Sequence, residues 1–199
     1  MKNYWKKQLH TWHWISSAVA LICMMLFAVT GITLNHSSSF EASPEVHKIS
    51  KIVPDSILKQ LNASAGSNTL PEDLIKWLSD TEIDNHKLLS SAGEWSEYDV
   101  YLQNPIPGGD MWMSIDFETG VMEFSHTDRG LVAWLNDLHK GRNTHPAWIF
   151  FLDVFSIATL IFCVTGFLLL QIHSKRRPST WYVTAAGIVV PGLLILFYL

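Results

Sequence analysis

Nine histidines are spread along the 199-residue chain, and five of them stand at the ends of long apolar runs or on their approaches. His13 opens the first run within "HTWHW", where it shares a helical turn with His10, and His36 closes that run in "LNH". His139 and His145 precede the second run in "LNDLHKGRNTHPAWIFFLD", and His173 closes it in "QIHSKRR". A single histidine at such a place needs no more explanation than the amphipathic character of its ring at a membrane interface. Histidine at both ends of both runs carries more. Each membrane face can then pair one imidazole from each helix, His13 with His173 and His36 with His139. Two facing imidazoles are what a low-spin haem iron takes as axial ligands, and helix bundles hold such cofactors in their cores. The chemistry expected is one-electron transfer through a bound haem, with His10 and His145 as alternates for His13 and His139. Zinc fits less well, because neither pair has an obvious third and fourth ligand nearby. His13 and His36 lie 23 residues apart, roughly 34 Å along an unbroken helix, so they cannot serve one haem.

The elements that must position these side chains follow from the charge pattern. Between Trp14 and Asn35 the only ionisable group is Cys23, the run Pro146 to Ile172 carries one charge, Asp153, and Trp181 to Leu199 carries none. Each run holds about 20 residues or more, enough to cross a hydrocarbon core of roughly 30 Å. Three transmembrane α-helices are expected, in residues 1–36, 146–173 and 181–199, with a basic loop at 174–180. The first run is longer than a typical signal-peptide core and ends without an A-x-A-like site, so it reads as a retained anchor. Lys2, Lys6 and Lys7 precede the first helix, and Lys175, Arg176 and Arg177 follow the second. The positive-inside rule puts both groups on the cytoplasmic side, with the N-terminus inside. Trp12, Trp14, Trp148 and Trp181 fall near the interfaces, as an aromatic belt does.

Residues 37–145 are then the one segment long enough to fold as a domain, and they are exported. They hold 17 acidic residues against 8 basic ones, a formal charge of −9. An acidic exterior draws cations rather than nucleic acid, although part of the asymmetry is the positive-inside rule itself. "LPEDLIKWLSD" reads as an amphipathic helix with Pro71 at its start, and "PDSILKQLN" as a second. "SEYDVYLQ" alternates, "NPIPGGD" reads as a turn, and "MWMSIDFETGVMEFS" reads as two strands joined at "ETG". "DRGLVAWLNDLHKG" returns to helical spacing through Leu131, Trp134, Leu135 and Leu138. The expectation is a small α+β module with an antiparallel sheet. It has no nucleophile elbow, phosphate loop or CxxC. Met111, Met113 and Met122 suggest packing before copper, and Cys23 and Cys163, both within apolar runs, read as packing residues.

Two further features lie in the membrane runs. A V-T-G step occurs in each long helix, at Thr30-Gly31 and at Thr165-Gly166. Small residues let a neighbouring helix or a flat ligand approach closely, and helix packing explains them as readily. Asp153 lies roughly two turns into the second run. A lone intramembrane carboxylate often handles protons, which fits proton uptake from a quinol, and a structural hydrogen bond is the plainer role.

In their order along the chain these residues resemble the PepSY-associated transmembrane-helix family. The matching steps are His13-Trp14, Thr30-Gly31, the "D-x-x-T-G" turn of Asp116, Thr119 and Gly120, the "LHxG" step Leu138-His139-Lys140-Gly141, and Thr165-Gly166 before the basic stop. The resemblance covers most of residues 8–178 and implies an exported PepSY-like module between the first and second helices. Members of this kind look like inner-membrane reductases of ferric iron or ferric siderophores, some with b-type haem. The short three-helix form resembles the VciB type, implicated in reducing iron for ferrous uptake. His36, His145 and His173 are not fixed by the pattern, and the single module argues against bulky siderophores.

The resulting expectation is an inner-membrane ferric reductase. Its substrate is ferric iron or a small ferric chelate on the periplasmic side, and its electrons come from a quinol or a cytoplasmic reductant. A ferrous iron transporter is a partner in keeping with this, and three helices are a thin enclosure for haem, which favours a homodimer. Two rivals predict differently. A non-redox anchored PepSY module would be colourless with dispensable histidines, and a cytochrome serving a partner protein would carry haem without reducing ferric chelates.

Overall fold

A computed structural model describes residues 2–39, 43–64, 69–81 and 93–198. The chain divides into two compact units, one formed by Met1–Ala28 with Ile149–Leu199 and the other by Val29–Trp148. Helix α1 covers Lys2–Asn35, α5 Pro146–His173 and α6 Thr180–Tyr198. Three helices are long and apolar enough to cross a membrane, and this is a membrane protein.

In the first unit α1 and α5 meet through few side chains. Ser16 and Ala20 are buried on α1, Phe155 and Thr165 on α5. The Phe27 and Phe155 rings lie 5.1 Å apart, and His13 stacks on Phe162 at 4.7 Å. Most of the remaining large apolar side chains are exposed, as they are where lipid is the solvent. Helix α6 touches α5 through Trp181, edge-on to Phe167 at 5.9 Å. Pro191 sits inside α6, where membrane helices tolerate it.

The second unit is an α+β module. Its elements are β1 (Glu45–Ile52), α2 (Asp55–Ser64), α3 (Glu72–Asp80), β2 (Glu94–Trp95), β3 (Asp99–Ile106), β4 (Gly109–Asp116), β5 (Val121–Asp128) and α4 (Gly130–Lys140). The sheet is antiparallel in the order β1-β5-β4-β3-β2. Strand β4 alternates strictly between buried and half-buried positions. Its inward residues Met111, Met113 and Ile115 join Val100, Leu102, Met122 and Phe124 against Ile57, Leu61, Leu74 and Leu78 of α2 and α3. The three methionines are core residues. Leu78 is fully buried, so Leu78→Ala is expected to cost about 2–5 kcal/mol, measured by denaturant titration of the detergent-solubilised protein.

Two local readings change, and the edge strand β1 is an element the sequence reading did not include. Strand β3 continues through Pro105 to Ile106, which shortens the expected turn to Pro107 and Gly108. Proline is tolerated there because, among the described residues, β2 pairs only with Val100 and Tyr101 and Pro105 has no partner on that edge. Strand β1 has no clean alternation, since only Ile49 is less than exposed on an edge that otherwise faces solvent. On α4 the buried residue is Asp137, not the expected apolar stripe, whose Leu131 and Trp134 are exposed.

The hairpin between β4 and β5 carries the "D-x-x-T-G" step. Asp116 accepts hydrogen bonds from the backbone of Glu118 and Thr119 and from the Thr119 hydroxyl, and Gly120 takes φ +68°. The backbone bond from Thr119, then its side-chain bond, holds the Asp116 pKa below the ordinary aspartate value. A folded pKa below the unfolded one adds stability that is complete above the unfolded pKa and is lost as pH falls through the folded pKa. Thr119→Val is expected to move the Asp116 pKa upward, read from its carboxyl carbon in an NMR pH titration.

Candidate histidine sites

The first site lies in the first unit. The Nδ1 of His13 is 3.1 Å from Thr165 Oγ1. That hydroxyl already donates its single proton to the backbone carbonyls of α5, Ile161 at 2.6 Å and Phe162 at 3.1 Å. It can therefore only accept from the imidazole, which fixes the proton on Nδ1 and leaves the lone pair on Nε2. Gly166 supplies the room for the ring: a Cβ there would stand 3.2 Å from His13 Cε1. His173 reaches the same tautomer differently, by donating Nδ1–H to the Leu169 carbonyl at 2.8 Å.

A cleft of about 530 Å³ is lined by His13, Gly166, Leu169, Leu170, His173, Arg176, Arg177 and Thr180. An imidazole, an apolar wall and a pair of guanidinium groups suit an amphipathic ligand that carries carboxylates, and the volume falls in the range of small-molecule sites. His10 lies beside His173, with ring centroids 6.3 Å apart. The structure thus brings His173 to His10 in ring contact and to His13 across one cleft.

The second site lies in the second unit and repeats the first with the sequence roles exchanged. His139 Nδ1 is 2.6 Å from Thr30 Oγ1, and a Cβ on Gly31 would stand 3.8 Å from His139 Cε1. Thr33 donates to Asn136 Oδ1 at 3.1 Å, a second bond between the end of α1 and α4. His36 donates Nδ1–H to the Ile32 carbonyl at 3.1 Å and is exposed.

Helix α4 is held where His139 needs it. The Asp137 carboxylate, buried to 3% exposure, accepts the Gly108 backbone N–H at 2.8 Å and ion-pairs with Arg142 Nη2 at 2.6 Å. Gly141 ends the helix with φ 65°, and Trp148 Nε1–H donates to the Leu138 carbonyl at 3.0 Å. Asp137 escaped the sequence reading. An acid inside an apolar helical stripe, two residues before the "LHxG" histidine, was the signal available.

His145 has a different function. Its Nδ1 accepts the Ala147 backbone N–H at 3.1 Å and so caps the start of α5. In the neutral ring the proton is then on Nε2, the opposite tautomer from His13, His36 and His173. Asp153 is exposed on α5 and belongs to neither site.

Among the described residues no three His, Cys, Asp or Glu side chains converge on one point. A bare metal ion held by the protein alone has no ready-made cage, whereas haem brings four ring nitrogens and asks for one or two imidazoles. The tautomers fit that demand, because a histidine that ligates metal through Nε2 normally donates Nδ1–H to an acceptor nearby.

Comparison with curated proteins and with solved structures gives no match. The model of the PepSY_TM-like family matches residues 4–199, which takes in both histidine sites, and the chain belongs to that family.

Proposed function

We propose that this protein is a haem-b electron-transfer protein of the bacterial cytoplasmic membrane that reduces ferric iron on the periplasmic side, in the manner of the VciB type. The observation that carries the reading is the repeated assembly of histidine, threonine and glycine, each drawn from two helices. Bound haem would supply a one-electron Fe³⁺/Fe²⁺ couple at each assembly. The chain's own residues bind and orient. His13 and His139 are the primary ligands, each held by a threonine of the other helix. Gly166 and Gly31 leave a ring's width clear. His173 and His36, with Nδ1 held by backbone carbonyls, are the second ligands in reserve, and Arg176 and Arg177 meet carboxylates.

One electron converts one ferric ion to ferrous, so no acid–base group is required at the substrate. The donor is a quinol or a cytoplasmic reductant, and Asp153 takes up a proton where that donor is a quinol. Ferric iron or a small ferric chelate meets the acidic domain of residues 37–145, whose oxygen ligands suit a hard cation. A homodimer would close the exposed faces of the membrane helices, and a ferrous transporter would take the product.

The test is an absorption spectrum of detergent-purified protein, oxidised and reduced with dithionite, followed by mixing the reduced protein with ferric citrate. A sharp reduced α-band that bleaches as ferrous iron forms supports the reading. A colourless protein after expression with ample haem overturns it in favour of a non-redox PepSY module, and a band that ferric citrate leaves untouched points to a protein electron acceptor.

A further inference from the structure

The end of the sheet farthest from the β4–β5 turn carries a second group of ligand-type residues. Strands β1 and β5 pair with Glu45 opposite Asp128 and His47 opposite His126. Residues two apart on a strand share a face, and directly paired residues share it too. The four side chains therefore form a square on one face, the face that further along holds Phe124 and Met122 in the core. Directly opposed Cβ atoms in such a ladder lie about 4.5–5.5 Å apart, and alternate positions on one strand about 7 Å apart. The two imidazoles already lie side by side, with ring centroids 6.5 Å apart and planes inclined by 28°.

The neighbouring strand leaves space beside the square. Gly109 faces Asp128 across the β4–β5 ladder and contributes no side chain. A cavity of about 190 Å³ lies there, lined by His126 and Asp128 together with Ile106, Gly108, Leu131 and Trp134. The adjacent cation does not fill the role of counter-charge, because Arg129 is paired with Asp110 at 2.8 Å. Asp128 Oδ1 accepts the Gly130 backbone N–H at 2.7 Å, and the exposed Asp128 borders the cavity.

We propose that His47, His126, Asp128 and Glu45 form a site for a divalent first-row transition-metal ion, with ferrous iron as the ion that the proposed reduction would deliver to it. Two imidazoles with one or two carboxylates and open positions are a donor set suited to Fe²⁺, and zinc accepts the same ligands. As the side chains stand, no three of the set converge. Closure needs only rotamer changes, since Glu45, His47 and Asp128 are exposed and such side chains reorient within nanoseconds. The metal site rests on the strand register; only its assignment to iron rests on the function proposed above.

The test uses the full-length protein in detergent, purified without a histidine tag, and equilibrium dialysis against Fe²⁺ under anaerobic conditions and against Zn²⁺. One ion per chain is expected, with affinity falling at least tenfold in His47→Ala and in Asp128→Asn. Position 47 is on an exposed edge, so the first variant keeps the fold, and thermal melts with and without Zn²⁺ give a second readout: the ion raises Tm in the parent and not in the variants. Binding that is absent in the parent, or unchanged in His47→Ala/His126→Ala, overturns the site. The haem spectrum, recorded on the same samples, is expected to be identical in all of them. Metal binding in a protein without an α-band would keep the site and remove the iron-reduction reading.

Discussion

His13→Ala is expected to abolish the haem absorbance contributed by the first site, and His139→Ala that of the second, whereas Thr165→Val keeps haem but weakens its retention about 10–100-fold. The distinction follows from what each group does. Removing the imidazole removes the ligand proposed for iron. Removing the hydroxyl leaves the ligand but frees a ring whose Nδ1–H had one acceptor, 3.1 Å away. The ring can then rotate or take the other tautomer, and the Nε2 lone pair is no longer held in one direction. Haem loss to an excess of apomyoglobin measures this directly, and Thr165→Ser is expected to restore slow loss because it keeps the acceptor oxygen. Retention in Thr165→Val equal to the parent would show that the threonine only packs. The same series at Thr30 tests the second site through its 2.6 Å bond to His139.

The second large effect is expected at the β3–β4 turn, which props the helix carrying His139. Gly108 has φ +74°, and a Cβ there would stand 2.8 Å from the backbone N and Cα of Trp134 in α4. Gly130 has φ +84° with nothing within 4 Å of its Cβ position. The two glycines therefore share one backbone cost and differ in steric cost. Gly130→Ala should destabilise by about 1–2 kcal/mol, the penalty for a left-handed L-residue. Gly108→Ala should add about 1–3 kcal/mol of overpacking, because the opposing atoms are helix backbone and cannot rotate away. Urea titration of both variants followed by tryptophan fluorescence separates these terms, and equal losses would show that α4 yields freely. A displaced α4 also moves His139, so Gly108→Ala is expected to lose haem at the second site while the first is retained.

Much of this protein is written in its sequence. The three membrane helices follow from apolar runs with at most one charge and long enough to cross the hydrocarbon core, a property of composition that no packing detail alters. Alternation through Met111, Met113 and Ile115 marks β4 because one face of a sheet must be buried. Strand β1 was illegible for the complementary reason, as an edge with one partly buried residue shows no period. Helix α4 differs because its apolar stripe suggested burial, while the residue taken into the interior was Asp137, satisfied by Gly108 from the distant β3–β4 turn and by Arg142 just beyond the helix end.

The histidines divide along the same line. Residue types and spacing were enough to single out His13, His36, His139 and His173 and to set His145 apart as an alternate. What each ring is bonded to is a matter of tertiary structure. A tautomer is decided by the partner of one nitrogen, and for His13 that partner is a threonine 152 positions away. Periodicity marked Thr165-Gly166 and Thr30-Gly31 as small residues suited to close approach. Folding decided that each step meets the imidazole of the other helix, and that the nitrogen left with its lone pair on His13 is Nε2.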